Sequence, residues 1–453
     1  MHPSDSTPDA KRMPSAPALT HVMATYPETW CFLLASEGQS SVLSARWSLL
    51  LRRTGEEIVH RQDASTDFLP KLQEALDRSS RPYDHPQLPF LGGWFVYLGY
   101  ELAGEIEPTL DLPSSPDPLP MAYAARCGSA LIKDHWSGET WLVAESIEEM
   151  GRAESELAEL SEMSVSDLGS GSSHDLAANL RSDEPEQFVD GVGRILDYIQ
   201  AGDVFQVNLS RAWHANSRSP IDPLSLYSAL KKSNPAPFAG YAKLPGGTIV
   251  SSSPERLVSQ QGRRLQTRPI AGTRPRGLTT KDDQQLIKEL SSNLKEQAEH
   301  IMLIDLERND LGRVCLSGSI EVDELMVVES YEHVHHIVSN VTGQLRPEAT
   351  ATDVIRAVFP GGTITGCPKV RCMEIIAELE GVGRGCYTGA MGYIGHDGVM
   401  DFNILIRSVC VYGEMLSFRT GAGIVADSHA SAELKETEFK ARGLIRALQS
   451  GVE

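Results

Sequence analysis

Cysteine is scarce, at 7 in 453 residues, which is too few for a disulfide scaffold. The closest pair, Cys367 and Cys372, has the wrong spacing for a zinc-binding C-x-x-C, so reduced thiols are expected. Long apolar runs are also missing. No stretch approaches the roughly 18 uninterrupted apolar residues of a spanning helix. Residues 1–18, rich in Ser, Pro and Asp, carry no apolar core of a secretory signal. These absences argue for a cytoplasmic protein with a disordered tail over residues 1–20. Positive charge is in deficit, with 41 Lys and Arg against 61 Asp and Glu, a net charge of −20. That balance argues against a nucleic-acid backbone or an anionic membrane surface as the main partner. Hydrophobic residues nonetheless make up 41% and charged residues 23%, enough for a sizeable globular core.

Short apolar segments at 30–34, 42–51 and 88–100 (LPFLGGWFVYLGY) have the character of strands and tight turns, and 129–132 with 140–144 of a hairpin. Residues 145–162 are helical and acidic. From 161 to 186 the composition shifts to Ser, Asp, Gly and Glu, a linker between an N-terminal region (21–160) and a second region (187–449). That second region opens with a helix. Pro185 suits its first turn, Phe188, Val192, Ile195, Leu196 and Ile199 share one face, and Gly202 stops it. Further helices are predicted at 281–306 and 431–449. Strands in consecutive runs, with no repeat, favour an α+β fold with antiparallel sheets over a doubly wound one.

Two glycine-rich segments imitate nucleotide-binding motifs. GGTITGCPK (361–369) is not a phosphate loop, because Cys367 and Pro368 separate the glycine from Lys369 and no Ser or Thr follows. GAGIVA (421–426) fits a loose dinucleotide pattern, but no βαβ unit can follow before the chain ends. Gly421 and Gly423 either let backbone N–H groups approach a ligand carboxylate or form an ordinary turn.

Glu296 and Glu299 fall on one helix face, as do Glu433, Glu436 and Lys440 on the last helix. Such residues are usually a solvated face. If the two faces meet, four carboxylates pool, and oxygen-only ligation suits Mg²⁺ with retained waters. Arg407 lies inside an apolar strand-like run, FNILIRSVCV, where a guanidinium needs an anionic partner. His335 and His336 sit in VHHIVS, where a hydrogen-bonded core histidine is the commoner explanation. Glu255 follows a strand in SSSPER, either as an ion-pair partner of Arg256 or as a general acid.

SSSPERLV (251–258), RPIAGTRPRG (268–277), AEHIMLIDLERNDLGRV (298–314), FPGGTITGCPKVRCMEII (359–376) and GAGIVADS (421–428) together resemble the chorismate-utilising enzymes. That family includes component I of anthranilate synthase and of aminodeoxychorismate synthase, and the isochorismate and salicylate synthases. The likeness runs densely from about residue 188 to 448 and more loosely through GGWFVYLGYELAGEIEP (92–108). It implies two layers of antiparallel sheet with helices outside and an active site between the layers. It further implies that Glu299 and Glu436, with Glu296 and Glu433 beside them, hold Mg²⁺ over the ring carboxylate of chorismate. Arg407 and Tyr387 would grip the enolpyruvyl carboxylate, and Gly421, Ala422 and Gly423 would offer backbone contacts. Lys440 would add positive charge, Thr363, His336, Ala271 and Thr273 would line the ring, and Glu255 would protonate the departing hydroxyl.

Water-using members of the family carry a lysine base where this chain has Gln206, so the resemblance is to the ammonia users. QVNLS (206–210), NPAPF (234–238) and VHHIVS (334–339) look like aminodeoxychorismate synthase. Leu33-Leu34-Ala35-Ser36 lacks the glutamate of the tryptophan-feedback motif. Ala271 points the other way, because in PIAGT it replaces the nucleophilic lysine of many aminodeoxychorismate synthases. The expected activity is aminodeoxychorismate synthase component I. No glutaminase nucleophile elbow is present, so ammonia would come from a glutamine amidotransferase subunit in a heterodimer. The alternatives are anthranilate synthase component I and an inert chorismate-binding subunit.

Overall fold

The computed structural model describes residues 9–36, 46–81, 88–162, 176, 179–331 and 334–449. Its strands form two antiparallel sheets that share two long strands, Trp47–His60 and Ala122–Asp134. One half of Ala122–Asp134 pairs with Thr140–Ala144, the other with Gly93–Leu98. From the first half, one sheet runs through Phe32–Ala35, Phe238–Leu244, Gly247–Ser253, Ser408–Tyr412 and Met415–Ile424 to Gln206–Asn216. From the second half, the other runs through Ala390–Gly395, Met400–Ile404, Arg256–Gln261 and Arg264–Thr267 to Val334–Gln344. Ile270–Pro275 and Glu321–Ser330 flank that last strand. The α+β class and the two-layered sandwich are as expected.

Side-chain alternation explains the layering. In Gly93–Leu98 every residue is buried, yet Trp94, Val96 and Leu98 face helices while Phe95 and Tyr97 face the opposite sheet. The inter-sheet core is built by strands and their connections, with Phe32 stacked on Phe95 at 4.0 Å between ring centroids. Helices Phe68–Ser79, Leu294–Gly312 and Ala351–Val358 cover one outer face. Ile147–Glu162, Pro223–Ser233 and Ala430–Gln449 cover the other. Ala122–Asp134 changes outer face along its length, from Ala124 on one helical layer to Leu131 on the other. The change falls around Gly128, where a Cβ would meet Glu145 Oε1 at 2.9 Å.

Several expectations need correction. Residues 9–12, assigned to a disordered tail, form a strand paired with Thr140–Ala144, and a helix spans Leu19–Thr25. Residues 1–8, 42–45 and most of the expected linker (163–175) lie outside the described residues. The helix predicted over 281–306 is two helices, Thr280–Ser292 and Leu294–Gly312. Asn293 breaks it with an extended ψ of 104°, and its Oδ1 accepts the Glu296 N–H at 3.2 Å, capping the second helix. Arg407 is not within a strand; it sits at φ 53° in the bend between Met400–Ile404 and Ser408–Tyr412. Cys31, Cys127, Cys315, Cys367 and Cys372 are free, and the sulfurs of Cys386 and Cys410 lie against each other in the inter-sheet core. No helix among the described residues is long and apolar enough to cross a membrane.

The N-terminal region is tied to the loop before Tyr387 through Glu101. Its buried carboxylate accepts the backbone N–H groups of Arg384 at 2.6 Å and Gly385 at 3.2 Å. Removing that acceptor strands two buried donors. Glu101→Ala is therefore expected to cost about 1–3 kcal/mol, read as a lower urea midpoint; an unchanged midpoint would show that the loop holds itself.

Candidate active site

A cavity of about 700 Å³ lies where the free ends of the two sheets approach each other. A second, of about 670 Å³, lies nearer the shared strands. The arginines lining the second are answered by acids of the chain: Arg46 by Asp134, Arg256 by Asp401, Arg264 by Asp323 and Arg268 by Glu329. The first differs. Gln206 Oε1, Asn208 Oδ1, Glu255 Oε1, Glu296 Oε2 and Thr363 Oγ1 are buried there without a hydrogen-bond partner. Buried polar atoms are nearly always satisfied, so five in one cavity mark it as built for a polar occupant.

Strands Gln206–Asn216 and Met415–Ile424 form one wall, with Gly421 opposite Ser210 and Gly423 opposite Asn208. A Cβ on Gly421 would meet the Tyr387 hydroxyl at 2.6 Å, and one on Gly423 the Gln206 Nε2 at 2.3 Å. The glycines therefore belong to a strand, not a turn, and leave room for pocket side chains. Ala422, expected beside them at the substrate, faces away. Period-two alternation buries its methyl against Val207 and Ile424 in a separate apolar cluster.

Tyr387 and Arg407 come from two bends pinned together, since Thr388 N donates to Leu405 O and Leu405 N to Gly389 O, each at 2.8 Å. Thr388 at φ 62° and Arg407 at φ 53° are strained, as is common at functional sites. The Arg407 guanidinium has no carboxylate partner among the described residues, and burial lowers its pKa. An anion in the cavity would relieve that cost. Beneath them lies an ion network that sequence reasoning missed. Glu380 accepts Arg384 at 2.6 Å, Arg419 at 2.9 Å and the Ser210 N–H at 2.9 Å. Arg384 also donates to Asn208 O and Ile364 O. The Glu380–Arg384 spacing of four in a helix-terminal segment was the available signal.

Glu255 is 5% exposed. Burial pushes its carboxyl up to about 7, opposed by the neighbouring Thr363 hydroxyl, the backbone at Ile270 and the charges of Lys440 and Arg407. It is not the partner of Arg256, which pairs with Asp401 at 2.9 Å. His336 lines the cavity and bonds the Thr273 hydroxyl at 2.9 Å. Burial, then Arg407, lowers it to about 3, so it is neutral. His335 is a satisfied core histidine, bonded to Ser330 and Asp283 at 2.8 Å each. Lys440 Nζ reaches Gly421 O at 2.9 Å and Glu436 at 2.8 Å. Ala271 also lines the cavity.

Helices Leu294–Gly312 and Ala430–Gln449 do bring Glu296, Glu299, Glu433 and Glu436 to one cavity. Glu296 pairs with Arg274 at 2.8 Å through one oxygen and leaves the other unbonded. Gly272 is required beside it, because a Cβ there would stand 2.3 Å from Glu296 Oε2. Among the described residues no three of these carboxylates bring their oxygens within 4.8 Å of one another. A hard cation that keeps several waters and takes one or two carboxylates fits this donor set; an all-protein cage does not.

The model of the chorismate binding enzyme family matches residues 30–446. The chain is 44% identical over 362 residues to an anthranilate synthase component I-like protein of Synechocystis, covering 80% of this chain and 74% of that one. It is 42% identical over 372 residues to aminodeoxychorismate synthase component 1 of Bacillus subtilis, covering 81% and 79%. Its fold matches the crystal structure of anthranilate synthase component I from Streptococcus pneumoniae with a TM-score of 0.79 at 31% identity, over 90% and 93% of the two chains. With that coverage, and with its paired sheets closing on an acid-rich cavity, the chain belongs to the chorismate-binding enzymes, of the type formed by component I of anthranilate and aminodeoxychorismate synthases.

Proposed function

We propose that the chain is aminodeoxychorismate synthase component I, joining chorismate and ammonia to give 4-amino-4-deoxychorismate and water. The observation that carries an amination of a dicarboxylate is the pairing, in one cavity, of buried Glu255 with the unanswered Arg407 guanidinium. Arg407 and the Tyr387 hydroxyl take the enolpyruvyl carboxylate. Glu299 and Glu436, with Glu296 and Glu433 near, hold Mg²⁺, which when bound neutralises the ring carboxylate. Glu255, kept protonated by burial, gives its proton to the departing hydroxyl, which leaves as water. Ammonia, supplied by a glutamine amidotransferase partner, forms the new C–N bond as the C–O bond breaks, and the resulting ammonium releases one proton, which balances the one Glu255 gave to the departing water. Gln206 supports ammonia over water as nucleophile, because it offers an amide and no base. Ala271 favours a second reading. With a methyl facing the cavity no lysine adduct forms, and this residue accords with anthranilate synthase component I, which also releases pyruvate.

Incubating the purified chain with chorismate, Mg²⁺ and an ammonium salt decides between them. An aminated product that retains its enolpyruvyl group is expected; pyruvate with anthranilate establishes the second reading, and neither product leaves an inert binding subunit.

Glu436→Gln is expected to raise the Mg²⁺ concentration needed for activity and to lower activity sharply, and an unchanged Mg²⁺ titration would remove Glu436 from the metal site. Glu255→Gln is expected to lower kcat by about 10²–10⁴. It also carries a stability signature. The Glu255 carboxyl is raised from 4.5 to about 7 on folding, so the folded state binds more protons between those values. Wild-type stability therefore falls as pH rises through that window, by ~3 kcal/mol. The Gln variant escapes this loss and should melt higher than wild type above pH 7, with the gap closing toward pH 4.5. Parallel melting curves at all pH would refute a buried, proton-holding Glu255.

A further inference from the structure

Cys386 and Cys410 have no task in the proposed reaction. Cys386 belongs to the bend that carries Tyr387, where its carbonyl accepts the Gly389 N–H at 3.0 Å. Cys410 lies in strand Ser408–Tyr412, opposite Ser417 of Met415–Ile424. Both are buried, at 3% and 1% exposed. A third donor reaches them from the N-terminal region. The two sulfurs and a carboxylate oxygen of Asp117 all lie within 4.8 Å of one another. Among the described residues no other three His, Cys, Asp or Glu side chains converge so closely.

Two facing thiols alone would be core neighbours or a disulfide. Three features of their surroundings favour an ion. A disulfide has no use for a carboxylate, whereas thiolate sulfur and carboxylate oxygen are both zinc ligands. Asp117 is held in place, because Ser417 Oγ donates to its Oδ1 at 2.9 Å. Its Oδ2 stands 2.9 Å from the point a Cβ on Gly385 would occupy. Burial raises the Asp117 pKa, against the pull of Ser417, His214 and Arg419, and a cation beside it would relieve that cost. Finally, the Tyr97 hydroxyl is buried without a hydrogen-bond partner and lines, with Asp117 and Gly385, a cavity of about 180 Å³. Tyr97 Oη and Gly385 O stand 3.0 and 3.4 Å from one point, the Cβ position of Gly99. The unanswered hydroxyl is thus beside the residue that precedes Cys386.

We propose that Cys386, Cys410 and Asp117 form a site for a thiophilic divalent cation, zinc, with its fourth position turned to this small cavity. A water or the Tyr97 hydroxyl completes the tetrahedron there. Such an ion spaces its donors about 3.5–3.8 Å apart. Both thiols lose their protons to solvent as it enters. The ion ties the segment before strand Ala122–Asp134 to the Tyr387 bend and to strand Ser408–Tyr412. It adds a metal pin to the bonds by which Glu101 holds Arg384 and Gly385. The site is separate from the glutamate cluster and does not rest on the reaction proposed above.

Cobalt(II) is the probe, because tetrahedral thiolate ligation gives it a near-ultraviolet sulfur-to-metal band and strong visible bands. Titrating the full chain, reduced and freed of metal, is expected to develop these bands up to one equivalent, and zinc to abolish them. Mg²⁺ should leave them in place. Cys386→Ser and Cys410→Ser should each lose at least half of the sulfur band, and Asp117→Asn should shift the visible bands. Cys315→Ser, at a free cysteine elsewhere in the core, should change nothing. Zinc should also raise the melting temperature of wild type and not that of Cys410→Ser. No sulfur band in wild type overturns the site, and so does its survival in both serine variants. Visible bands unchanged in Asp117→Asn overturn the three-ligand set. Where a serine variant does not fold, the wild-type titration and Asp117→Asn still decide.

Discussion

A carboxylate with no access to water must be answered by charge inside the protein, and at Glu380 the answer comes from two arginines on different parts of the chain. Arg384 leaves the same helix end and turns the loop that carries Tyr387. Arg419 lies on the strand that also presents Gly421 and Gly423. Breaking one partner of such a cluster leaves an uncompensated buried charge, so the three pieces of chain move together or not at all. The pocket's tyrosine, its glycine wall and the edge strand Gln206–Asn216 are fixed relative to one another by that requirement.

On this frame the cavity is deliberately incomplete. The four arginines of the neighbouring cavity are paired with acids, yet among the described residues Arg407 has no acid and five polar atoms of this one cavity have no partner. Such a site is costly when empty and favourable when a charged, polar occupant enters. The chain's net charge of −20 makes the contrast sharper. Attraction for an anionic substrate is local, built from Arg407 and Lys440 and from the cation the glutamates would hold, against the sign of the whole surface.

Much of this was legible in the sequence. The α+β class, the hairpin at 129–144, the helix after Pro185 and the pairing of Glu296 with Glu299 and of Glu433 with Glu436 on single helix faces follow from periodicity and spacing, whereas the meeting of those two faces was implied only by the family resemblance. What was not legible depends on three-dimensional context. The apolar run around Arg407 has the composition of one strand, but nothing local announces a left-handed bend stabilised by hydrogen bonds to a distant loop. Asn293 looks like an ordinary helical residue until its cap is seen. Ala422 was drawn into the site with its glycine neighbours because a motif is read as a block, whereas a strand sends alternate residues to opposite faces. Asp9–Arg12 pairs as an edge strand although its residues are polar, because Thr140–Ala144 offers it an open backbone.

The two long strands shared by both sheets carry one further implication. Phe32–Ala35 hydrogen-bonds to Phe238–Leu244, and Gly93–Leu98 to Ala390–Gly395, so each half of the polypeptide supplies the neighbour that the other half's strands lack. Cutting the backbone within 163–175 would not release two autonomous modules but two complementary fragments, each with naked β edges prone to aggregation until they meet. A split version of this protein would therefore regain its shape only by co-assembly.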